Sequence, residues 1–245
     1  MKLLNIVPIT SDIWTLEMDS YVRKFLLPDT EVITRRIMHG PASIESAYDE
    51  ALASPEIIML CKQAEQEGID GVFIDCFGDP GVKAARECVD IPVFGGFEPA
   101  IYYALGIADR IGIVTVLPDV VSMLNGLIAK EGIRERVSSL RYVNIPVLEL
   151  AEPDKLTTAL IDEGKKAIVE DSAGVIVLGC TAMVDVKESV EAGLKSAGYD
   201  VTVIEAAQAS LIMLETYVRM GYRHSRLDYM PPRDKARIWW GGALQ

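Results

Sequence analysis

The sequence lacks a hydrophobic run long enough to cross a membrane. Its apolar stretches stay far below the roughly 18 to 20 residues that a membrane-spanning helix needs, as in IGIVTVL and GVIVLGC. The first ten residues, MKLLNIVPIT, include a proline and end without a small-residue cleavage site, so they predict a first core strand rather than a signal peptide. We therefore expect a cytoplasmic protein with no membrane partner.

Positive charge, histidine and cysteine pairs are also scarce. The chain has 24 Lys and Arg against 36 Asp and Glu, and its net charge of -12 argues against a nucleic-acid partner, because phosphate contacts need clustered basic side chains. Zinc usually takes three or four ligands, and besides carboxylates only His39 and His224 are available to join the cysteines, so we expect no metal. The four cysteines form neither a CxxC pair nor a dense disulfide framework, which indicates free thiols in a reducing compartment.

Short apolar runs alternate with segments of helical periodicity. The runs predict strands at 3–8, 31–37, 70–75, 91–94, 110–116, 140–145, 174–179 and 201–204. The segments between them have apolar residues at helical spacing, as in PEIIMLCKQAEQEG and DVVSMLNGLIAKEG. This alternation is typical of an α/β protein whose parallel sheets are covered by helices on both faces.

Local signals also predict where helices begin and end. Ser54-Pro55 and Asp79-Pro80 each predict an N-cap followed by proline at the first helical position, and Asp185 followed by Glu188 resembles a capping box. Helix ends are predicted at three glycines, Gly68, Gly132 and Gly198.

Two segments of the chain resemble each other. EGIDGVFIDCFGDPG and EDSAGVIVLGCTAM both run from an acidic helix end through an apolar strand to a cysteine and a small-residue turn, and Cys76 and Cys180 lie 104 residues apart. We expect two similar parallel-sheet halves related by a pseudo-twofold axis, with the active site in the cleft between them. The predicted first domain comprises residues 1–96 plus 206–245, and the second comprises 97–205.

The positions of Cys76 and Cys180 favour a chemical role. Each cysteine ends a predicted strand and precedes a turn, where a thiol would face a ligand and lie near backbone N–H groups that favour the thiolate. Cys61 and Cys88 lie in helical segments, where free cysteine usually behaves as a small buried hydrophobe. Two facing thiols can remove a proton from one side of a carbon and return a proton to the other, with neither metal nor pyridoxal.

The motifs around these cysteines resemble the aspartate/glutamate racemase superfamily and, within it, the hydantoin and allantoin racemase branch. The resemblance rests on CFGDPG at 76–81, LGCTAM at 178–183 and their spacing, and it covers nearly the whole chain. Amino-acid racemases of the superfamily usually carry Asn-Thr after the first cysteine and His after the second GCT, where this chain has Phe77-Gly78 and Ala182. The resemblance implies an isomerase in which Cys76 and Cys180 are the acid/base pair, acting without cofactor on a 5-substituted hydantoin or allantoin-like substrate.

Substrate-binding residues are expected at the carboxyl ends of the strands. The family's first strand usually ends in Asn-Pro-Asn-Thr, whereas this chain reads IVPITSD, in which Val7 and Ile9 replace both amides. The expected substrate contacts are Pro8, Thr10, Ser11, Phe77, Gly78, Thr115, Gly179 and Thr181. Losing two hydrogen-bonding side chains should change which polar group of a substrate fits.

Neighbouring polar residues fit structural roles better. Asp79 is predicted to be an N-cap, and Glu98 is predicted to open a helix, where the dipole favours a carboxylate. Pleat alternation predicts that Asp75 points away from the face of Cys76. His39 fits a surface or capping position better than a catalytic one.

The C-terminal tail and the assembly are the least determined features. The tail RLDYMPPRDKARIWWGG contains a proline pair and two adjacent tryptophans, Trp239 and Trp240. Aromatic and arginine side chains are enriched at interfaces, so the tail could anchor a neighbouring subunit or pack on its own. We expect a homo-oligomer.

Other functions remain open within the resemblance. The superfamily also contains maleate isomerases, which use one cysteine as a nucleophile, and arylmalonate decarboxylases, which have a single essential cysteine. The presence of two thiols disfavours the decarboxylase but not the cis-trans isomerase or a racemase of another amino-acid derivative. A catalytically silent small-molecule-binding module would also keep this fold.

Overall fold

Two four-stranded parallel sheets with the same strand order form the frame of the protein. The computed structural model describes residues 1–13, 20–239 and 242–243. The first sheet consists of β1 (Lys2–Val7), β2 (Glu31–Arg36), β3 (Gly71–Ile74) and β4 (Val93–Phe94), and the second consists of β5 (Ile111–Thr115), β6 (Val137–Tyr142), β7 (Val175–Leu178) and β8 (Thr202–Glu205). The sheets have the orders β2-β1-β3-β4 and β6-β5-β7-β8, which confirms the prediction of an α/β fold with two similar halves.

Helices cover both sheets, and two of them join the halves. The helices are α1 (Ala47–Gln66), α2 (Val82–Cys88), α3 (Phe97–Ile107), α4 (Pro118–Lys130), α5 (Pro153–Val169), α6 (Lys187–Ser196) and α7 (Ala206–Met220). Helix α3 follows β4 but packs on β7 and β8, whereas α7 follows β8 but packs on β3 and β4, and the two helices also pack on each other. Each half therefore gives one helix to the other. The domain boundaries at 96/97 and 205/206 stay a prediction.

The predicted strands differ from the observed ones mostly at their ends. The largest difference is in the strand predicted at 140–145, because β6 starts and ends three residues earlier, at Val137 and Tyr142. None of the helices in the described part of the chain is both long and apolar enough to span a membrane.

All three predicted helix starts are wrong. Helix α1 begins at Ala47, where the Ser46 hydroxyl accepts the N–H of Asp49, and it continues through Pro55. Helix α2 begins after Gly81 rather than at Asp79, and α6 begins after Val186 without a side-chain cap. The predicted helix ends are confirmed, since the three glycines have φ values of +76°, +67° and +94°, which only glycine adopts without strain.

The part of the C-terminal tail whose side chains the structure describes packs against the first half of the same chain. The N–H of Val93 donates to the His224 ring at 3.0 Å, and the Tyr229 hydroxyl lies 3.3 Å from the Arg86 guanidinium. Arg86 is buried and forms a bidentate ion pair with Glu98 on α3. Residues Ile238–Trp239 pair with Gly242–Ala243 as a short antiparallel ribbon, and Trp240 lies outside the described residues.

Gly96, just before α3, lies between the two turns that carry the cysteines Cys76 and Cys180. Its N–H donates to the carbonyl of Cys76 at 2.9 Å. A Cβ atom at Gly96 would lie 3.0 Å from that carbonyl oxygen and 2.7 Å from the Thr181 methyl group, on the opposite turn. The backbone conformation of Gly96 is helical, so the requirement for glycine here is one of space rather than of φ.

Asp79 fixes the first turn against the same helix. Its carboxylate accepts the N–H of Phe97 at 2.9 Å and the N–H of Glu98 at 3.4 Å. Asp79 therefore caps a helix, as predicted. The helix that it caps is α3, which begins 18 residues later, and not α2, which follows Asp79 directly in the sequence.

We predict that Gly96→Ala destabilises the fold by about 1–3 kcal/mol, because the added methyl group overpacks the junction of the two turns. The matched control is Gly106→Ala, later in α3, where a Cβ would meet nothing within 4 Å. That change should be neutral or should stabilise by up to about 1 kcal/mol, since alanine is the better helix former. Urea unfolding measures both, and equal stability of the two variants would contradict the steric role of Gly96.

Candidate active site

One cavity brings both predicted cysteines together at the carboxyl ends of β1, β3 and β7. It encloses about 460 Å³ of empty space, which includes the solvent at its mouth. Its lining consists of Val7, Pro8, Ile9, Ile44, Asp75, Cys76, Phe77, Val147, Cys180, Thr181 and Ala182. Residues of both halves contribute, so the cavity lies in the predicted cleft, at the sheet edge where open α/β folds bind ligands.

Both thiols are half-buried and each has a backbone N–H nearby. The N–H of Gly78 lies 3.4 Å from the Cys76 sulfur, and the N–H of Ala182 bonds to the Cys180 sulfur. Burial nevertheless dominates: it raises the pKa of Cys76 well above its ordinary value and raises the pKa of Cys180 to about 12. The predicted N–H groups are present, but burial outweighs them and favours the protonated thiol at both cysteines.

Acidic side chains near the sulfurs add to this effect. After burial, the Glu50 charge and the neighbouring Cys180 also raise the pKa of Cys76. For Cys180, the charges of Asp75 and Glu45 act in the same direction. A negative charge close to a thiol disfavours the thiolate, so each sulfur has its own acidic neighbours.

Glu50 is the most unusual of these acids. Its Oε1 atom is buried and has no hydrogen-bond partner among the described residues, and it packs so closely on Gly78 that a Cβ there would collide with it. Burial raises the pKa of Glu50 to about 7. The carboxyl group therefore changes its charge near neutral pH, and it lies against Gly78, whose N–H is 3.4 Å from the Cys76 sulfur.

Asp75 lines the cavity together with both cysteines. That its side chain faces away from Cys76 stays a prediction: the Asp75 charge acts on Cys180, whereas the carboxylates that act on Cys76 are Glu50 and Asp79. The Asp75 carboxylate accepts a long hydrogen bond, 3.4 Å, from the Asn5 amide and another from the Thr181 side chain. Burial raises its pKa to about 7 in spite of these bonds.

The predicted substrate contacts separate into two groups. Pro8, Phe77 and Thr181 line the cavity with the cysteines. The described lining does not include the other five, which are Thr10, Ser11, Gly78, Thr115 and Gly179. Of the second group, Gly78 still bonds to the Cys76 sulfur.

The other four have structural contacts instead. Thr115 is fully buried, and its hydroxyl donates to the carbonyl of Gly179 at 2.9 Å. The Thr10 hydroxyl donates to the carbonyl of Pro41, and the Ser11 hydroxyl accepts the N–H of Ile13. These side chains shape the turns around the cavity without facing its interior.

Sequence reasoning missed Ile44 and Val147, which belong to the apolar wall of the cavity. Ile44 lies in a loop of the first half and Val147 opens a short 3-10 helix of the second half, and no periodic pattern marks a buried face in either segment. The Glu45 carboxylate accepts the N–H of Val147 at 2.8 Å, so one hydrogen bond joins the two segments beside the cavity. A single acidic residue before a helix gives no sequence signal of such a contact.

The remaining candidates lie elsewhere. His39 is exposed and contacts Glu56 at 3.1 Å, Cys61 is fully buried, and Cys88 is half-buried. Within the described ranges, no group of three or more His, Cys, Asp and Glu side chains is arranged to hold a metal ion. The ionisable side chains that line the cavity are the two thiols and Asp75.

Comparison with known proteins gives one consistent family. A family model described as Asp/Glu/Hydantoin racemase matches residues 3–214. A hydantoin racemase from Pseudomonas sp. (strain NS671) is 37% identical over 247 residues, covering 100% of this chain and 96% of the relative. A hydantoin racemase from Rhizobium meliloti is 36% identical over 198 residues, covering 80% of each chain.

Solved structures agree with this assignment. The allantoin racemase from Klebsiella pneumoniae superposes with a TM-score of 0.90 at 31% sequence identity, covering 99% of this chain and 98% of that structure. The match includes both halves and therefore both cysteine-bearing turns. The chain belongs to the Asp/Glu/hydantoin racemase family, as the motifs around Cys76 and Cys180 predicted.

Proposed function

We propose that this protein is a racemase that inverts C5 of a 5-substituted hydantoin by proton transfer between Cys76 and Cys180. The observation that carries the proposal is the cavity in which both sulfurs lie, one from each half. The family assignment and the hydantoin racemases that resemble the whole chain support the same reaction.

The reaction needs one base and one acid on opposite faces of a carbon. One sulfur, as a thiolate, removes the C5 hydrogen, and the electron pair left on carbon delocalises onto the adjacent ring carbonyl. The other sulfur, as a thiol, then donates its proton to the opposite face of C5. The product is the mirror image of the substrate, and the two sulfurs have exchanged their protonation states. The starting thiolate forms when one thiol loses its proton to solvent, and from then on no group besides the two sulfurs has to supply or accept a proton.

The raised pKa values of the thiols have a chemical use. A hydrogen on a carbon next to a single carbonyl is only weakly acidic, so its pKa is far above that of an ordinary thiol. A cysteine with a raised pKa gives a more basic thiolate, which reduces this difference in pKa and favours proton transfer. The N–H groups of Gly78 and Ala182 stabilise whichever thiolate is formed. Thr181, which lines the cavity beside Cys180, is placed to donate its backbone N–H to the developing enolate oxygen.

The wall of the cavity favours an apolar substituent on the ring. Val7, Ile9, Ile44 and Val147 are all at least nine-tenths buried and contribute only hydrocarbon to the lining. The ureido arm of allantoin would place N–H and C=O groups against this wall, and a buried polar group without a partner is unfavourable. We therefore assign the substrate to hydantoins with an aliphatic or aromatic side chain rather than to allantoin.

Assembly and location remain predictions. Three apolar side chains of α1 are exposed, namely Tyr48, Leu52 and Met59, and exposed apolar patches commonly mark protein contacts. A homo-oligomer in the cytoplasm stays the expectation from the sequence.

Replacing either thiol tests the two-base mechanism. We expect Cys76→Ser and Cys180→Ser each to lower racemisation at least about 10²-fold, because a serine hydroxyl is too weak an acid and base at these positions. Polarimetry of a single-enantiomer hydantoin measures the rate, and solvent deuterium at C5 of the product marks the proton transfer. Cys88→Ser, outside the cavity, is the matched control and should keep its activity. Full activity in either cavity variant would indicate a single-thiol reaction.

The charge of Glu50 should appear in the pH profile. Above pH 7 the Glu50 carboxylate opposes ionisation of Cys76, so Glu50→Gln should lower the pKa of Cys76 and move the acidic limb of kcat/KM to lower pH. The control is Glu56→Gln, on the same helix, whose carboxylate bonds to the N–H of His39 instead. A profile that does not move, or moves to higher pH, would contradict the electrostatic role of Glu50.

The apolar wall makes a prediction about substrates. We expect kcat/KM for 5-isobutylhydantoin to exceed that for allantoin at least about 10-fold, since an unpaired buried polar group costs about 1–3 kcal/mol. Ile9→Asn, which places an amide in the wall, should reduce this ratio. The rates are measured polarimetrically with both enantiopure substrates, and a preference of the unmodified protein for allantoin would refute the assignment.

A further inference from the structure

Asp75 is a carboxyl group in the cavity that the two-thiol reaction does not use. Its side chain lines the cavity together with both cysteines and is only 9% exposed. It directly precedes Cys76 in the chain, and its charge acts on Cys180. A buried acid whose charge acts on a reacting sulfur makes thiolate formation harder, so its presence requires a separate explanation.

The hydrogen bonds within the protein leave Asp75 with free acceptor capacity. A carboxylate offers about four lone-pair positions, and the described partners are the Asn5 amide, at a long 3.4 Å, and the Thr181 side chain. A buried carboxylate that is incompletely hydrogen-bonded is unfavourable. A donor entering through the cavity would meet an acceptor that is already oriented by its neighbours.

The cavity lacks a group that would hold an anionic substrate. Its described lining contains no Lys, Arg or His, while Asp75, Glu45 and Glu50 lie in or beside it. A hydantoin ring is neutral and presents two N–H donors and two carbonyl acceptors. The ring-opened form of the same compound, an N-carbamoyl amino acid, carries a carboxylate at the position of one ring carbonyl.

We propose that Asp75 binds the substrate ring by accepting one of its N–H groups and that its negative charge excludes the ring-opened acid. The inference rests on the proposed function, since it assumes that a hydantoin occupies the cavity. It gives Asp75 two effects at one position, attraction of a neutral ring and repulsion of a carboxylate. Specificity of this kind, with a favourable contact for one ligand and a repulsive one for its competitor, is common in selective sites.

The charge of Asp75 should make ring binding depend on pH. Burial raises its pKa to about 7, so the carboxylate is available as an acceptor above that pH and is lost as the pH falls through it. The other titratable groups that face this region are Cys76, Cys180 and Glu45, which acts on Cys180. Both thiols have raised pKa values and stay neutral through the same range.

Binding of a compound that cannot react separates this inference from the racemase reaction. The probe is 5,5-dimethylhydantoin, which keeps both ring N–H groups but has no hydrogen at C5. Calorimetry at pH 8 gives its affinity, with the N1-methyl and N3-methyl analogues each lacking one donor. We expect one of the two methylations to weaken binding roughly 10- to 100-fold, the range for a hydrogen bond to a charged group.

Variants of Asp75 assign that loss to its carboxylate. In Asp75→Ala the same methylation should cost less than about 3-fold, whereas Asp75→Asn, which retains a carbonyl acceptor, should keep an intermediate preference. Asp70→Asn is the matched control, because Asp70 lies at the opposite end of β3, is exposed and bonds to the N–H of Lys2. It should bind all three compounds like the unmodified protein.

Binding of the ring-opened acid tests whether the charge of Asp75 repels a carboxylate. N-carbamoyl-2-methylalanine should bind Asp75→Asn at least about 10-fold more tightly than it binds the unmodified protein, because one like charge has been removed. The inference is overturned if methylation costs the same in the unmodified protein and in Asp75→Ala, or if the acid gains nothing in Asp75→Asn. Failure of racemisation with normal binding of the probe would instead refute the proposed function alone.

Discussion

The close approach of two turns at Gly96 is the constraint on which the site depends. The Gly96 N–H bonds to the Cys76 carbonyl, and a Cβ at Gly96 would meet both that carbonyl oxygen and the Thr181 methyl group, so both cysteine-bearing turns pack against the same residue. Exchange of α3 and α7 between the halves holds the sheets in this position, and the Asp79 carboxylate fixes the first turn to the start of α3. The relative position of the two cysteine-bearing turns therefore depends on close packing at Gly96.

A second constraint is electrostatic. The described lining combines two thiols and one carboxyl group with hydrocarbon and contains no basic side chain, and burial raises the pKa of both cysteines and of Asp75. Burial therefore favours the neutral thiol at both cysteines, whereas Asp75, whose pKa is raised to about 7, is a carboxylate above that pH. A neutral ring, the substrate that we propose, meets no like charge in such a cavity.

Much of the fold and the central pair of the site could be predicted from the sequence. Alternating apolar strands and helices gave the two similar halves, and the position of Cys76 and Cys180 after matching strands, β3 and β7, placed them at one sheet edge. The errors arose where local signals compete with tertiary contacts. Asp79 has the sequence context of an N-cap, yet its carboxylate bonds to a helix 18 residues away.

The cavity-wall residues that sequence reasoning missed show a different limit. Ile44 lies in a loop and Val147 opens a short 3-10 helix, and the Glu45 carboxylate joins the two segments. The sequence pattern of one segment does not indicate that it contacts the other, so these wall residues can be identified only from the three-dimensional structure.

The two sulfurs are related by the pseudo-twofold axis but are not equivalent, and this asymmetry has a defined consequence. Glu50 acts on Cys76, whereas Asp75 and Glu45 act on Cys180, so the two thiolates have different basicities. The enantiomers of a substrate have equal free energies in water, and a racemase therefore must have equal kcat/KM in both directions. Thiols of unequal pKa therefore cannot favour one enantiomer at equilibrium. They can make kcat and KM differ between the two enantiomers, but kcat/KM must stay equal for both. The acids around each sulfur are thus free to differ, as they do here, provided that both sulfurs reach the same carbon.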